Sequence, residues 1–191
     1  MKVKSSEVKI GNVINYESKK WKVISREHVK PGKGGAYIQM KLKEVQIGTS
    51  KEIRFRSDED VYLVHVTDVQ HIYNYPLGDS FVFMNNESYE IIELPSKFVD
   101  NAEFLQEGMI VSICFAEDEN GQLSPISVKL PDHVECVIED TQPVIKGQTA
   151  SSSYKPATLS NGVRTTVPPH VEIGNRVIIN TNDRSYVEKT K

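Results

Sequence analysis

Apolar and polar residues alternate along this chain in short runs, and the runs recur in one arrangement. A glycine opens an alternating strand, a polar turn follows, and a second strand returns. The arrangement begins at Gly11 (VINY, ESKK, WKVI), at Gly78 (SFVFM, NNES, YEII), at Gly108 (IVSICF, AEDENGQ, SPISVKL) and at Gly174 (RVIIN, TNDR, SYVEK). Period-two alternation bounded by Gly, Asn, Asp and Ser is the signal of β-hairpins. A fifth hairpin lies between residues 23 and 45. Its first strand is VISREHV. Its second, AYIQMKLKEV, puts Ala36, Ile38, Met40 and Leu42 on one face and Tyr37, Gln39, Lys41 and Lys43 on the other. Helical spacing occurs once, over residues 96–106, where Phe98, Ala102 and Leu105 share a side and predict one short helix. The class is all-β, and many short strands favour small barrels. A single larger β-sandwich is the alternative that the pattern leaves open.

Composition divides the chain in three. Residues 1–65 carry 14 Lys and Arg against 8 Asp and Glu, a net +6. Residues 66–128 carry one lysine, Lys97, against 11 acids, a net −10. Residues 129–191 carry 8 against 7, a net +1, and the three sum to the overall −3. The cuts fall where basic composition gives way to acidic, and where Pro131 follows the SVKL strand. A basic end implies a phosphate-rich partner, whereas the acidic middle must face protein, solvent or cations. The stretch KGQTASSSYKP, residues 146–156, is flanked by strand patterns. It reads as a loop inside the third part.

Several classes of chemistry lack their signatures. With 38% apolar residues the chain can build cores, and no run approaches the ~20 apolar residues of a membrane helix. Residues 1–15 are polar and alternating, unlike a secretory leader. Cys114 and Cys136 sit singly in apolar segments and read as buried free thiols in a reducing cytoplasm. His28, His65, His71, His133 and His170 are scattered, with no HExxH, CxxC or GxSxG around them. Lone histidines on alternating strands are more often structural than catalytic. The acids of residues 117–121 lack EF-hand spacing and read as a solvated turn. An enzyme is therefore the weakest reading, and no metal or cofactor is expected.

One loop stands out. Lys30-Pro31-Gly32-Lys33-Gly34-Gly35 joins the two strands of the fifth hairpin and presents Lys33 at its apex with little bulk around it. Pro31 sets one dihedral, and the glycines permit positive φ and close approach of backbone to a surface. It is no Walker loop, because Gly34 rather than Ser or Thr follows the lysine and a strand follows the loop. On residues alone, an ordinary exposed turn lysine competes with a functional tip, and composition leans to the former. Lys19, Lys20, Lys22, Arg26, Lys30, Lys41, Lys43, Arg54 and Arg56 gather in the same part, with Tyr16, Trp21 and Tyr37 among them. Basic residues with aromatics suit RNA contact. The bland reading is a solvated barrel surface with Trp21 in the core.

The string from Val29 to Ala36 (VKPGKGGA), followed by QMKLK, resembles the lysine-tip loop of the bacterial elongation factor P family. FMNNE, residues 83–87, resembles that family's second-domain motif. KPATLSNG, residues 155–162, running through Val167-Pro168 to Gly174, resembles its third-domain signature. Together these cover the chain nearly end to end. Thr165 stands where the family favours an aliphatic residue, and Gln148 with three serines stands where relatives often have acid and glycine.

The resemblance implies an N-terminal KOW-type barrel (1–65), then an acidic oligonucleotide-binding-fold barrel (66–128) and a C-terminal one (129–191), in an L shape. It further implies binding between the ribosomal P and E sites, on both subunits. There the factor stimulates synthesis at consecutive prolines by positioning P-site peptidyl-tRNA. Lys33 would be the modified lysine, extended by a β-lysyl group through a separate modifying enzyme and supported by Pro31, Gly32, Gly34 and Gly35. RNA contacts would come from Lys30, Lys41, Lys43, Arg54, Gly147, Thr149, Lys155 and Tyr186. The expected protein is a cytoplasmic monomer without enzymatic activity. A paralogue of the same architecture and a general single-stranded nucleic-acid binder are the alternatives. A strand-binding groove should be basic throughout, so the acidic middle opposes the latter.

Overall fold

The structure is a computed structural model that describes residues 1–118, 120–143 and 154–190. Among the described residues sixteen strands follow one another: β1 Lys2–Lys4, β2 Val13–Tyr16, β3 Lys19–Val29, β4 Tyr37–Glu44, β5 Ser50–Arg56, β6 Asp60–Leu63, β7 Val66–Leu77, β8 Ser80–Asn85, β9 Ile91–Pro95, β10 Ile110–Glu117, β11 Leu123–Lys129, β12 His133–Thr141, β13 Lys155–Leu159, β14 Arg164–Val167, β15 Arg176–Asn180 and β16 Tyr186–Lys189. They form three curled sheets, ordered β1-β6-β2-β3-β4-β5, β11-β10-β7-β8-β9 and β14-β13-β12-β15-β16. The all-β reading and the small-barrel reading hold, and the single sandwich does not.

Three of the four repeat glycines share a structural cause, while Gly78, at φ 58°, sits in the tight β7–β8 turn where Leu77 pairs with Ser80. Gly11, Gly108 and Gly174 adopt φ of 89°, 79° and 81°. Each donates its N–H over 2.8 Å to a carbonyl of a strand, that of Val23, Tyr73 and Ile138 respectively. The positive φ turns the chain back so that this amide meets its acceptor, a conformation side chains resist.

The predicted helix over residues 96–106 does not form. Two 3-10 turns, Ser96–Phe98 and Ala102–Phe104, stand in its place. Asn101 lies between them at φ 59°, a left-handed conformation through which an α-helix cannot propagate. The anchoring side chains are Val99 and Phe104, both buried, while Phe98, Ala102 and Leu105 are only half-buried.

Packing divides the chain into two compact units, Met1–Gln70 with Ser112–Val128, and His71–Val111 with Lys129–Lys191. In the first, Val8, Ile14, Trp21, Val23, Ile38, Met40, Leu42, Phe55 and Val61 form one core. Val13, Ala116 and Ile126 form another. Trp21 belongs to the first core, with its indole N–H donating to the Tyr16 carbonyl at 3.0 Å, so it is no stacking platform. In the second unit the third sheet is tied across its edges. The Thr165 hydroxyl on β14 donates to the Arg184 carbonyl, in the β15–β16 turn, over 2.6 Å. The Arg184 guanidinium meets the Glu103 carboxylate at 2.6 Å, and the Asn161 amide donates to the Glu103 carbonyl at 2.9 Å.

Candidate nucleic-acid interface

The β3–β4 hairpin and its neighbour β5 build the most pronounced basic face of the first unit. Cross-strand register fixes which side chains share a side. Val29, Tyr37 and Arg56 lie in one row, and Glu27, Gln39 and Arg54 in the next. Ser25, Lys41 and Glu52 follow, then Lys22, Lys43 and Ser50. Residues opposite one another in antiparallel strands point the same way. Five cations therefore share one side of these strands with two carboxylates, Lys41, Arg54 and Arg56 exposed and Lys22 and Lys43 half-buried toward Val13 of the second core, while Ile38, Met40 and Leu42 fill the core behind. A register shift between Val23 and Ser25 is what brings Lys22 into this face and turns Arg26 to the Met40 side. Without that bulge the alternation of β3 would run the other way beyond Val23.

The cations divide by their partners. Lys2 and Lys4 are held by Asp60 at 2.7 and 2.8 Å, Lys19 by the buried Glu44 at 3.0 Å, and Lys51 by Glu17 at 2.9 Å. Arg26 donates to the Ser6 carbonyl at 2.7 Å. Among the described residues, Lys30, Lys33 and Lys41 have no such partner. Arg54 is exposed yet oriented. Its guanidinium lies 5.3 Å from the centre of the Tyr37 ring, and its Nε donates to the Gln39 side chain at 3.2 Å. The Gln39 amide in turn donates to Glu52.

At the end of this face β3 stops at Val29 and β4 starts at Tyr37, and residues 30–35 between them are all exposed. Lys33 makes no hydrogen bond, ion pair or ring contact among the described residues. Gly34 takes φ 115°, and the other two loop glycines do not enter the positive region.

The second group of candidate residues is split. Gly147 and Thr149 lie outside the described residues. Lys155, at the start of β13, spends its ammonium on the Gln142 carbonyl at 2.6 Å. Tyr186, at the start of β16, packs edge-on against Tyr154 with centroids 6.5 Å apart, and burial pushes its phenol above the ordinary value. Tyr154 is a partner that sequence reasoning missed. The available signal was an exposed aromatic directly before the KPAT strand.

Among the described residues no group of His, Cys, Asp and Glu is arranged to hold a metal ion. No helix there is long and apolar enough to cross a membrane.

Comparison with known proteins gives a consistent result over the chain. Residues 4–61 match the elongation factor P KOW-like domain, residues 66–121 the elongation factor P OB domain, and residues 134–189 the elongation factor P C-terminal domain. Elongation factor P of Brucella abortus (strain S19) is 44% identical over 190 residues, covering 99% of this chain and 100% of that protein. Elongation factor P of Erythrobacter litoralis (strain HTCC2594) is also 44% identical over 190 residues, covering 99% of each. Among solved structures, eukaryotic translation initiation factor 5A from Methanococcus jannaschii aligns with a TM-score of 0.52 at 22% identity. It covers 67% of this chain and 93% of that one, a likeness of fold.

Proposed function

The chain belongs to the elongation factor P family of translation elongation factors, and from that premise we propose that it acts on the ribosome through Lys33. The observation that carries this reading is the placement of Lys33. It is an exposed cation without a contact among the described residues, at the tip of a hairpin whose flank gathers Lys22, Lys41, Lys43, Arg54 and Arg56. The face neutralises phosphates of P-site tRNA and ribosomal RNA. The tip reaches toward the end of the peptidyl-tRNA, between the P and E sites.

In this reading residues 1–65, 66–128 and 129–191 are three domains with separate partners. The first meets the acceptor end of the tRNA. The third, with Tyr186, Lys155 and the segment holding Gly147 and Thr149, meets the small-subunit side. Proline is a poor acceptor because its ring hinders approach of a secondary amine. Orienting the peptidyl-tRNA end removes an entropic barrier, and good alignment of reactants is worth several kcal/mol. A factor working this way needs no nucleophile, and the protein acts as a cytoplasmic monomer without turnover of its own. A separate enzyme lengthens Lys33 by a β-lysyl group, whose amines make charge-assisted hydrogen bonds to the RNA backbone. The alternative of a general single-strand binder is disfavoured by the −10 charge of residues 66–128.

The test pairs two measurements on Lys33→Ala. Melting should shift little, since substitution at an exposed site without contacts changes stability by no more than about 0.5 kcal/mol. Triproline synthesis in a reconstituted system should fall nearly to the level without factor, with ribosome occupancy largely kept. A variant that folds and still rescues triproline synthesis at the wild-type rate would sink the proposal.

A further inference from the structure

Three glycines flank Lys33, and the fold asks for glycine at one of them. Gly34 sits at φ 115°, where a side chain is strained, and a Cβ there would meet only the Pro31 ring, at 3.9 Å. Gly32 and Gly35 are different. Neither has a positive φ, and a Cβ built on either would have nothing within 4 Å. Alanine fits both positions without strain or collision, and it would restrict the unfolded chain, so on stability grounds alone it is the better residue. The fold therefore does not explain why both positions lack a side chain.

The backbone of the same segment supplies a second observation. Residues 32–35 make no hydrogen bond among the described residues, so each backbone N–H and C=O there is without a partner among them. Strand pairing ends at Val29 and Tyr37. Backbone amides free to donate are good ligands for phosphate and ribose oxygens. They reach those atoms most closely where no side chain intervenes.

We propose that Gly32 and Gly35 are contact residues, whose bare backbone lies flush against a sugar-phosphate strand on either side of Lys33 and leaves no room there for a Cβ. The inference rests on the ribosomal reading above and deepens it. Lys33 supplies the cation, while the two glycines set how closely the tip can approach the RNA. Lys33 then enters at a fixed depth, since the backbone on both sides of it rests on the strand.

The experiment is a size series in the full-length protein: Gly32→Ala, Gly32→Val, Gly35→Ala and Gly35→Val, with Lys33→Ala beside them. Intact mass of each protein establishes that all glycine variants carry the same group on Lys33 as the wild type. Melting temperature, ribosome occupancy and triproline synthesis at saturating factor are then measured. The alanine variants should melt at or above the wild-type temperature. They should still bind ribosomes and lose at least tenfold in triproline rate, with the valine variants losing more. Loss already complete at alanine and no deeper at valine would mean that backbone freedom, not room for contact, is what glycine supplies, and the inference fails. It fails also if an alanine variant is destabilised, because the fold then does require glycine. Wild-type rates in the alanine variants while Lys33→Ala is inactive overturn the inference and leave the ribosomal reading standing. Full activity of Lys33→Ala overturns the reading itself.

Discussion

Arg54 offers a test that separates charge from geometry. It is the one cation of the β3–β4–β5 face shown to be oriented by both a ring and an amide, through Tyr37 and Gln39. Removing it as Arg54→Gln deletes an exposed cation–π contact, worth about 0.5–1 kcal/mol. It also deletes an exposed hydrogen bond that contributes little on its own. The expected loss of stability is about 1 kcal/mol, or about 2–4 °C in melting temperature for a chain of this size. Binding should respond differently. A side chain that neutralises one phosphate contributes about 0.7–0.9 to the slope of log affinity against log salt. Arg54→Gln should therefore lower that slope by about this amount. Arg54→Lys keeps the charge and should keep the slope, yet weaken binding, because a lysine lacks the planar fork that the Tyr37 ring and Gln39 hold in place. The assay is ribosome binding by sedimentation or fluorescence over a series of potassium concentrations. Equal slopes for wild type and Arg54→Gln would show that Arg54 meets no phosphate, and the basic face would have to act through Arg56 and its lysines.

Other predictions concern the frame that carries the tip. Glu44 accepts hydrogen bonds from Lys19 and Thr49, both at 3.0 Å. The Lys19 ammonium above all holds its carboxyl below the ordinary value, against the opposing effect of burial. The stability this group contributes is complete above the usual carboxylate range and is lost as pH falls through its depressed folded value, so Glu44→Gln should flatten the acid limb of melting temperature against pH. An unchanged acid limb would show that other carboxylates dominate it. Thr165→Val keeps the shape of the side chain and deletes the hydroxyl that reaches the Arg184 carbonyl. It should cost about 0.5–1.5 kcal/mol, read as faster hydrogen exchange in β14 and β16. Unaltered exchange in both strands would show that the bond is not needed for closure. Burial pushes the Cys114 thiol up to about 11, helped by Asp68, and raises Cys136 as well. Both should resist iodoacetamide near neutral pH until the protein is unfolded. Rapid labelling of the native protein would contradict this.

The alternation in AYIQMKLKEV determined, without tertiary information, that Ile38, Met40 and Leu42 are core and that Lys41 and Lys43 are surface. A strand buried on one face can satisfy its side chains in one register only. The glycines opening each repeat were equally plain, since few residues other than glycine turn the chain with positive φ at low cost. The family resemblance rested on whole motifs and survived comparison over nearly the entire chain.

Tertiary structure decided what depends on neighbours distant in sequence. The bulge between Val23 and Ser25 reassigns Arg26 from the outer face to the core side, and no local pattern announces one extra residue in a ladder. The helical spacing over residues 96–106 was overridden because Val99 and Phe104 are the side chains the core accepts, and a left-handed Asn101 lets them reach it. Which cations remain available was likewise settled in space. Lys19 looks like Lys41 in the sequence, yet one is spent on a buried carboxylate and the other has no such partner among the described residues, because a lysine's availability depends on which acid the fold brings within reach. The same holds for the loop glycines. Their presence was evident from the sequence, but only the dihedral angles and the empty space around them separate the one the fold needs from the two it does not.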